Sequence, residues 1–141
     1  MIPFHYSFVV NDLDRARWFY HDVLGCELGR TSDTWIDFDF FGHQLSAHCV
    51  KDFRPQHAYG NVDKKDVPVP HFGAILSSKD FQRVLEALKN ANIEIYSPPE
   101  ERFQGTSYAQ NKFFLADPSG NFLEFKHFPD PTGVFAQAHV S

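Results

Sequence analysis

His5, His71 and Glu124 are the side chains in this sequence best suited to holding a metal ion. Neutral imidazole is the commonest metal ligand in proteins. Glu124 sits in the run FLEFKH, between Leu123 and Phe125. Alternate residues of a strand share a face, so Phe122, Glu124 and Lys126 point one way, and Leu123 and Phe125 the other. A carboxylate in the middle of an apolar strand needs a cation, because an unpaired buried charge is costly. The cation is a lysine, an arginine or a metal; Lys126 or Lys112 could pair with Glu124 on a solvated face. Two imidazoles and one carboxylate leave one face of an octahedral ion open, an arrangement that suits non-haem Fe(II) and also Mn(II).

The elements around these residues read as one pattern used twice. Residues 5–10, HYSFVV, are short and rich in β-branched and aromatic types, which predicts a strand. Asn11 or Asp12 offers a helix cap. Leu13, Ala16, Phe19, Tyr20 and Val23 follow at helical spacing, predicting a helix over 14–24 that Gly25 ends. A short strand over 26–30, a half-buried strand over 35–40, a turn at Phe41-Gly42 and a return strand over 43–50 complete the first unit. The polar, proline-bearing stretch 51–69 reads as a linker. The order then repeats. A strand over 71–76 follows, then a cap at Ser77 or Ser78. Phe81, Val84, Leu85 and Leu88 line one face of a helix ending near Asn92. A strand over 93–96 is broken by Pro98-Pro99. A strand over 112–116, a turn at Asp117-Pro118-Ser119-Gly120 and a last strand over 121–128 close the second unit. His5 and His71 thus open equivalent strands, and pseudo-symmetry brings equivalent positions to one axis. Half-cores of this size are marginal alone, so the units are expected to pack on each other or on a second chain.

The bulk composition excludes several function classes. The chain has 141 residues, 43% of them hydrophobic and 16% aromatic, enough for one packed core and unlike a disordered segment. The net charge is -5 and no basic block stands out, against a nucleic-acid partner. The apolar runs are too short to span a membrane, and the start MIPFHYSFVV lacks a basic n-region and a small-residue cleavage site. Cys26 and Cys49 do not make a disulfide framework. The expectation is a soluble, cytoplasmic protein acting on a small molecule.

The stretches HYSFVVNDLDRARWFYHDVLG, VPHFGAIL and FFLADPSGNFLEF together resemble the vicinal oxygen chelate superfamily. That superfamily includes glyoxalase I, extradiol dioxygenases, fosfomycin-resistance proteins and bleomycin-binding proteins. The resemblance covers nearly the whole chain, and within the superfamily it is nearest the small proteins expected to be extradiol-type dioxygenases. It implies an α+β fold, a single glyoxalase-like domain over 1–141. Two βαβββ modules, 1–50 and 70–128, would form a pseudo-symmetric curved mixed β-sheet, joined by linker 51–69. It implies His5, His71 and Glu124 as ligands of Fe(II), or of Mn(II) or another divalent ion, and a homodimer. The site either closes within one chain or is shared between swapped subunits. Where glyoxalase I would need a further glutamate this chain has Ser46, with Gln44 and His48 on the same face. His48 is either a fourth ligand or, the preferred reading, the acid-base residue. Ring-cleaving relatives carry a tyrosine where Phe114 stands, and Tyr108 is the nearby substitute. Arg102, Phe114 and Gln44 are the candidate substrate contacts, Arg102 as a carboxylate clamp. The implied reaction is dioxygenation of a small aromatic diol or similar bidentate oxygen substrate. The alternatives are Mn-dependent thiol or water addition of the fosfomycin-resistance kind, and metal-free binding of a small molecule.

Overall fold

A computed structural model describes residues 1–62 and 64–139. The first module runs β1 (His5–Val10), α1 (Leu13–Arg17), a π-helical continuation (Trp18–Val23), β2 (Glu27–Thr31), β3 (Trp35–Phe40) and β4 (His43–Cys49). The second runs β7 (Phe72–Ile75), α2 (Ser78–Asn90), β8 (Ile95–Arg102), β9 (Gln110–Ala116) and β10 (Phe122–His127). Between them lie β5 (Ala58–Val62) and β6 (Lys65–Val69), and a 3-10 helix, Pro131–Phe135, follows the last strand.

The repeat expected from the sequence is present in the sheet topology. One sheet has the order β1-β4-β3-β2 and the other β7-β10-β9-β8. In each, the first strand of the module pairs parallel with its last strand, and the other pairings are antiparallel. Together these give the α+β, glyoxalase-like architecture of curved mixed sheets.

Four local expectations are corrected. The stretch 51–69 is not only a linker, because β5 and β6 pair antiparallel within it, placing Ala58 opposite Val69 and Gly60 opposite Val67. The strand expected at 93–96 instead runs from Ile95 to Arg102, through the two prolines. It is tolerated there because β8 is an edge strand and its register shifts twice. The helix expected over 14–24 is α-helical only to Arg17, then widens to a π turn in which Leu24 N–H donates to Phe19 O at 3.0 Å. The wider turn lets consecutive Phe19 and Tyr20 both face inward, buried at 1% and 0% exposure. His71 lies just before β7 rather than inside it. The caps agree with the sequence: Asp12 accepts from Arg15 N–H, and Ser77 from Asp80 N–H.

Both sheets and both helices share one core. Phe8, Tyr20, Leu24, Ile36 and Phe38 from the first module join Phe81, Val84, Leu88, Phe113 and Phe125 from the second. Phe72 packs between Tyr6 and Phe8, with centroids 5.1 and 5.2 Å away, and Phe40 reaches Phe125 at 6.1 Å. Cys26 and Cys49 are free, and burial pushes the Cys26 thiol up to about 12. The modules are also tied by polar groups. Tyr20 Oη donates to Asp117 Oδ2 at 2.7 Å, and Asn121 Nδ2 donates to Val9 O at 2.9 Å. Asp117 Oδ1 accepts from the N–H groups of Ser119 and Asn121, both at 2.9 Å, shaping the turn in which Gly120 takes φ +93. Burial raises the Asp117 carboxyl above its ordinary range against these hydrogen bonds.

Tyr20→Phe is expected to lower unfolding free energy by about 1–3 kcal/mol, the value of a hydrogen bond to a carboxylate. Asp117→Ala is expected to cost more, because it leaves several donors unpaired. Urea denaturation of the three proteins checks both the sign and the order.

Candidate functional site

Strand alternation decides which side chains reach the outer face of the second sheet. Leu123 and Phe125 of β10 turn inward and are fully buried, so Glu124 and Lys126 turn outward, as the sequence predicts. Glu124 lies opposite Phe114 of β9 and Gly73 of β7. Gly73 is required by this geometry: a Cβ there would overlap the carbonyl oxygen of Glu124. The close approach draws His71, two residues before, over the carboxylate.

His71 Nε2 lies 3.0 Å from Glu124 Oε2. His71 Nδ1 is 2.6 Å from Pro68 O, and a carbonyl only accepts, so Nδ1 carries the proton. Nε2 facing the carboxylate then carries either a second proton, which makes the ring an imidazolium paired with Glu124, or a lone pair that shares a cation with the carboxylate. Phe114 holds the ring edge-on, centroids 5.1 Å apart at 85°. The other carboxylate oxygen, Glu124 Oε1, is buried and has no hydrogen-bond partner among the described residues. Lys112 Nζ and Lys126 Nζ stand 3.5 and 3.8 Å from it. Burial pushes the Glu124 carboxyl up, but the His71 hydrogen bond and the charges of Lys126 and Lys112 bring it below the usual carboxylate range. The His71 imidazole is correspondingly raised, chiefly by its bond to Glu124.

These features fit a metal ion. A histidine whose Nδ1–H is pinned by a backbone carbonyl presents Nε2 in a fixed direction, the usual support for a ligating imidazole. A buried carboxylate oxygen without a hydrogen bond is the matching acceptor. Both lysines considered in the sequence do flank Glu124, but Lys112 is buried rather than solvated.

The remaining expected residues separate into two groups. Phe114 and Arg102 belong with the second sheet. Arg102 is buried, with Nη1 3.3 Å from Glu100 Oε1 and the guanidinium 5.2 Å above the Phe103 ring centroid. His5, Gln44 and His48 are exposed on the outer face of the first sheet. His5 Nε2 is 3.2 Å from Ser7 Oγ, and the His48 ring is 6.5 Å from Trp35. Ser46 donates to Asp37 Oδ1 at 2.6 Å on that face, and Arg30 Nε lies 3.4 Å from Asp37 Oδ2. Within one chain the described residues bring no third histidine, cysteine or carboxylate to His71 and Glu124. Tyr108 packs on Phe103, centroids 5.2 Å apart, in the loop between β8 and β9. Sequence reasoning missed Pro68 as the carbonyl that orients His71. It also missed Asp37 as the carboxylate beside Ser46, although the alternation WIDFDF puts Asp37 on that face.

A cavity of about 250 Å3 is walled by Pro68, Lys112 and Phe114, each a neighbour of His71 or Glu124, although neither His71 nor Glu124 lines it.

Residues 2–125 match the family described as the glyoxalase/bleomycin resistance protein/dioxygenase superfamily. The chain belongs to that superfamily. A glyoxalase/bleomycin resistance protein/dioxygenase from Alicyclobacillus acidocaldarius is 34% identical, with 94% of this chain and 96% of that one covered and a TM-score of 0.76. A glyoxalase/dioxygenase from Nostoc punctiforme shares the fold at 19% identity, covering 89% of each chain with a TM-score of 0.67. The fosfomycin resistance protein FosX from Listeria monocytogenes shares it at 17% identity, covering 88% of this chain and 90% of that one, TM-score 0.67. No helix among the described residues is long and apolar enough to cross a membrane.

Gly73→Ala is expected to force β7 away from β10 and cost about 1–3 kcal/mol, the usual penalty of overpacking. The same change should displace His71 from Glu124. Urea melts read the first effect, and the 15N shifts of the His71 ring read the second.

Proposed function

We propose that this protein is a divalent-metal enzyme of the extradiol-dioxygenase kind, acting on a small aromatic diol. One observation carries the reading. His71 Nε2, fixed by its Nδ1–H···O=C bond to Pro68, faces a buried glutamate whose second oxygen has no hydrogen bond. The third ligand is His5 of a second copy of the chain. His5 lies on the outer face of one sheet and the His71–Glu124 pair on the outer face of the other, while the inner faces are used in the common core. A two-fold dimer in which the first module of each copy faces the second module of the other creates two equal sites.

When bound, Fe(II) would lower the pKa of a coordinated hydroxyl and provide an open position for dioxygen. This chain's own residues supply the surroundings. Phe114 packs edge-on against the His71 ring and limits its rotation. The sheet-one face brought by the second copy carries His48 as proton acceptor, with Gln44 beside it as a substrate contact. Arg102, held by Glu100, lines the cavity next to Phe114 and contacts the substrate's polar end.

Phe114 favours a second reading, because its ring has no hydroxyl to handle protons at that place. Thiol or water addition with Mn(II) uses the same ligands and asks only for polarisation of a substrate oxygen.

Protein purified without added metal is expected to contain about one divalent ion per chain, judged by elemental analysis, and His71→Ala or Glu124→Ala to abolish it. His5→Ala and Glu124→Ala proteins, each empty alone, should regain one site per heterodimer when unfolded and refolded together. Metal that survives all three substitutions sinks the reading. Anaerobic loading with Fe(II), followed by oxygen uptake with a panel of catechols, tests the reaction. Uptake with none of them, but thiol consumption by the Mn(II) form, selects the second reading.

A further inference from the structure

Another cavity, of about 700 Å3, lies where the two modules meet, and topology is the reason it is there. Strands β1 and β7 are both sheet edges, and among the described residues no ladder joins one to the other. Between them the shared core stays open at one end. The floor of the opening is Phe40 and Leu45, members of the core, with Tyr6, Phe72 and Ala74 packed against it. Its mouth carries Phe4, Ile75 and Phe135, which are 67%, 53% and 90% exposed. A hollow floored by core and rimmed by large apolar side chains leaves in water a surface that a ligand would bury. No Asp, Glu, Lys or Arg side chain belongs to the wall. His71 does, but its ring nitrogens already face Pro68 O and Glu124 Oε2, so it offers the cavity ring carbon. His43 is different. Its Nδ1 accepts from Phe4 N–H at 2.8 Å, so the neutral ring carries its proton on Nε2, a donor that no described residue accepts.

We propose that this inter-module cavity binds an uncharged, apolar molecule of two or more rings, with an oxygen acceptor that meets His43 Nε2–H. The volume sets the size, because cavities of this order take drug-sized ligands. The wall sets the charge: an ionised group brought there from water finds no counter-charge. A second copy of the chain could lie over the mouth, but the floor is set between the sheet edges, and only a molecule small enough to enter reaches it. The inference goes beyond the metal reading and uses neither its ion nor its dimer.

The test is fluorescence titration of the full-length protein, as purified, with Prodan, a neutral naphthalene that carries one ketone. One Prodan per chain is expected to bind with blue-shifted emission. Naphthalene-2-sulfonate, an anion on the same ring system, should compete at least about tenfold more weakly, since its charge goes unpaired in the cavity. In 15N–1H spectra the added Prodan should move the amide signals of Ala74, Ile75 and Val134, and leave those of Val67 and Lys112, which line the smaller cavity. His43→Phe should weaken Prodan binding about three- to tenfold, the scale of one neutral hydrogen bond. The same variant should bind 2-dimethylaminonaphthalene, which lacks the ketone, as the wild type does. No Prodan binding, equal competition by the sulfonate, shifts at Val67 and Lys112 instead, or equal loss of both fluorophores in His43→Phe overturns the inference. So does binding that appears only when a dimer is diluted to monomers, which puts a second copy over the mouth. The titrations and spectra of the wild type need no variant, so the inference stays testable if His43→Phe does not fold.

Discussion

The structure depends on one buried carboxylate. Asp117 sits at the turn between the last two strands of the second module, yet its Oδ2 is held by Tyr20 from the helix of the first. Its Oδ1 meanwhile draws the N–H groups of Ser119 and Asn121 into the turn that launches β10. Asn121 then reaches on to Val9 in β1, and Ser119 Oγ accepts from Asn11 N–H. A single side chain therefore sets both the start of the strand that carries Glu124 and the seating of one module on the other. Losing it would not merely remove contacts; it would unfix the register that points Glu124 outward.

That outward direction explains how a charge can be buried without being in the core. Glu124 is 6% exposed although it lies on the side of the sheet away from the hydrophobic cluster. It is flanked by the His71 ring and the Lys112 ammonium, and lies opposite Phe114 on the neighbouring strand. A carboxylate in such a place keeps its charge because cations surround it. Deep burial would have forced it neutral, and full exposure would have left its geometry free.

Much of this was legible in the sequence, for identifiable reasons. Period-two alternation is strong in FLEFKH, so the orientation of Glu124 follows from the sequence alone. Cap residues at Asp12 and Ser77 and the glycine at 25 fixed helix starts and stops through local chemistry. Two of the misses depend on partners distant in the chain, and the third on a backbone atom. Nothing local in KDFRPQHAYGNVDKKDVPV announces a hairpin, because its strands are short and rest on the β8–β10 face. Strand β8 survives Pro98-Pro99 because it ends up at an edge, a fact of topology. The orientation of His71 rests on the carbonyl of Pro68, three residues away, and a backbone acceptor has no sequence signature.

The hairpin has a consequence for how such a protein changes over generations. It belongs to neither repeat, so it carries no duty to the shared core or to the pseudo-symmetric pairing of strands. It nevertheless covers the cavity next to Glu124 and supplies the carbonyl that steers His71. Selection on β5 and β6 can therefore reshape what fits beneath the roof while the duplicated scaffold stays as it is. Pro68 is the exception, the one point where diversification of the roof and preservation of the chemistry are bound to the same backbone.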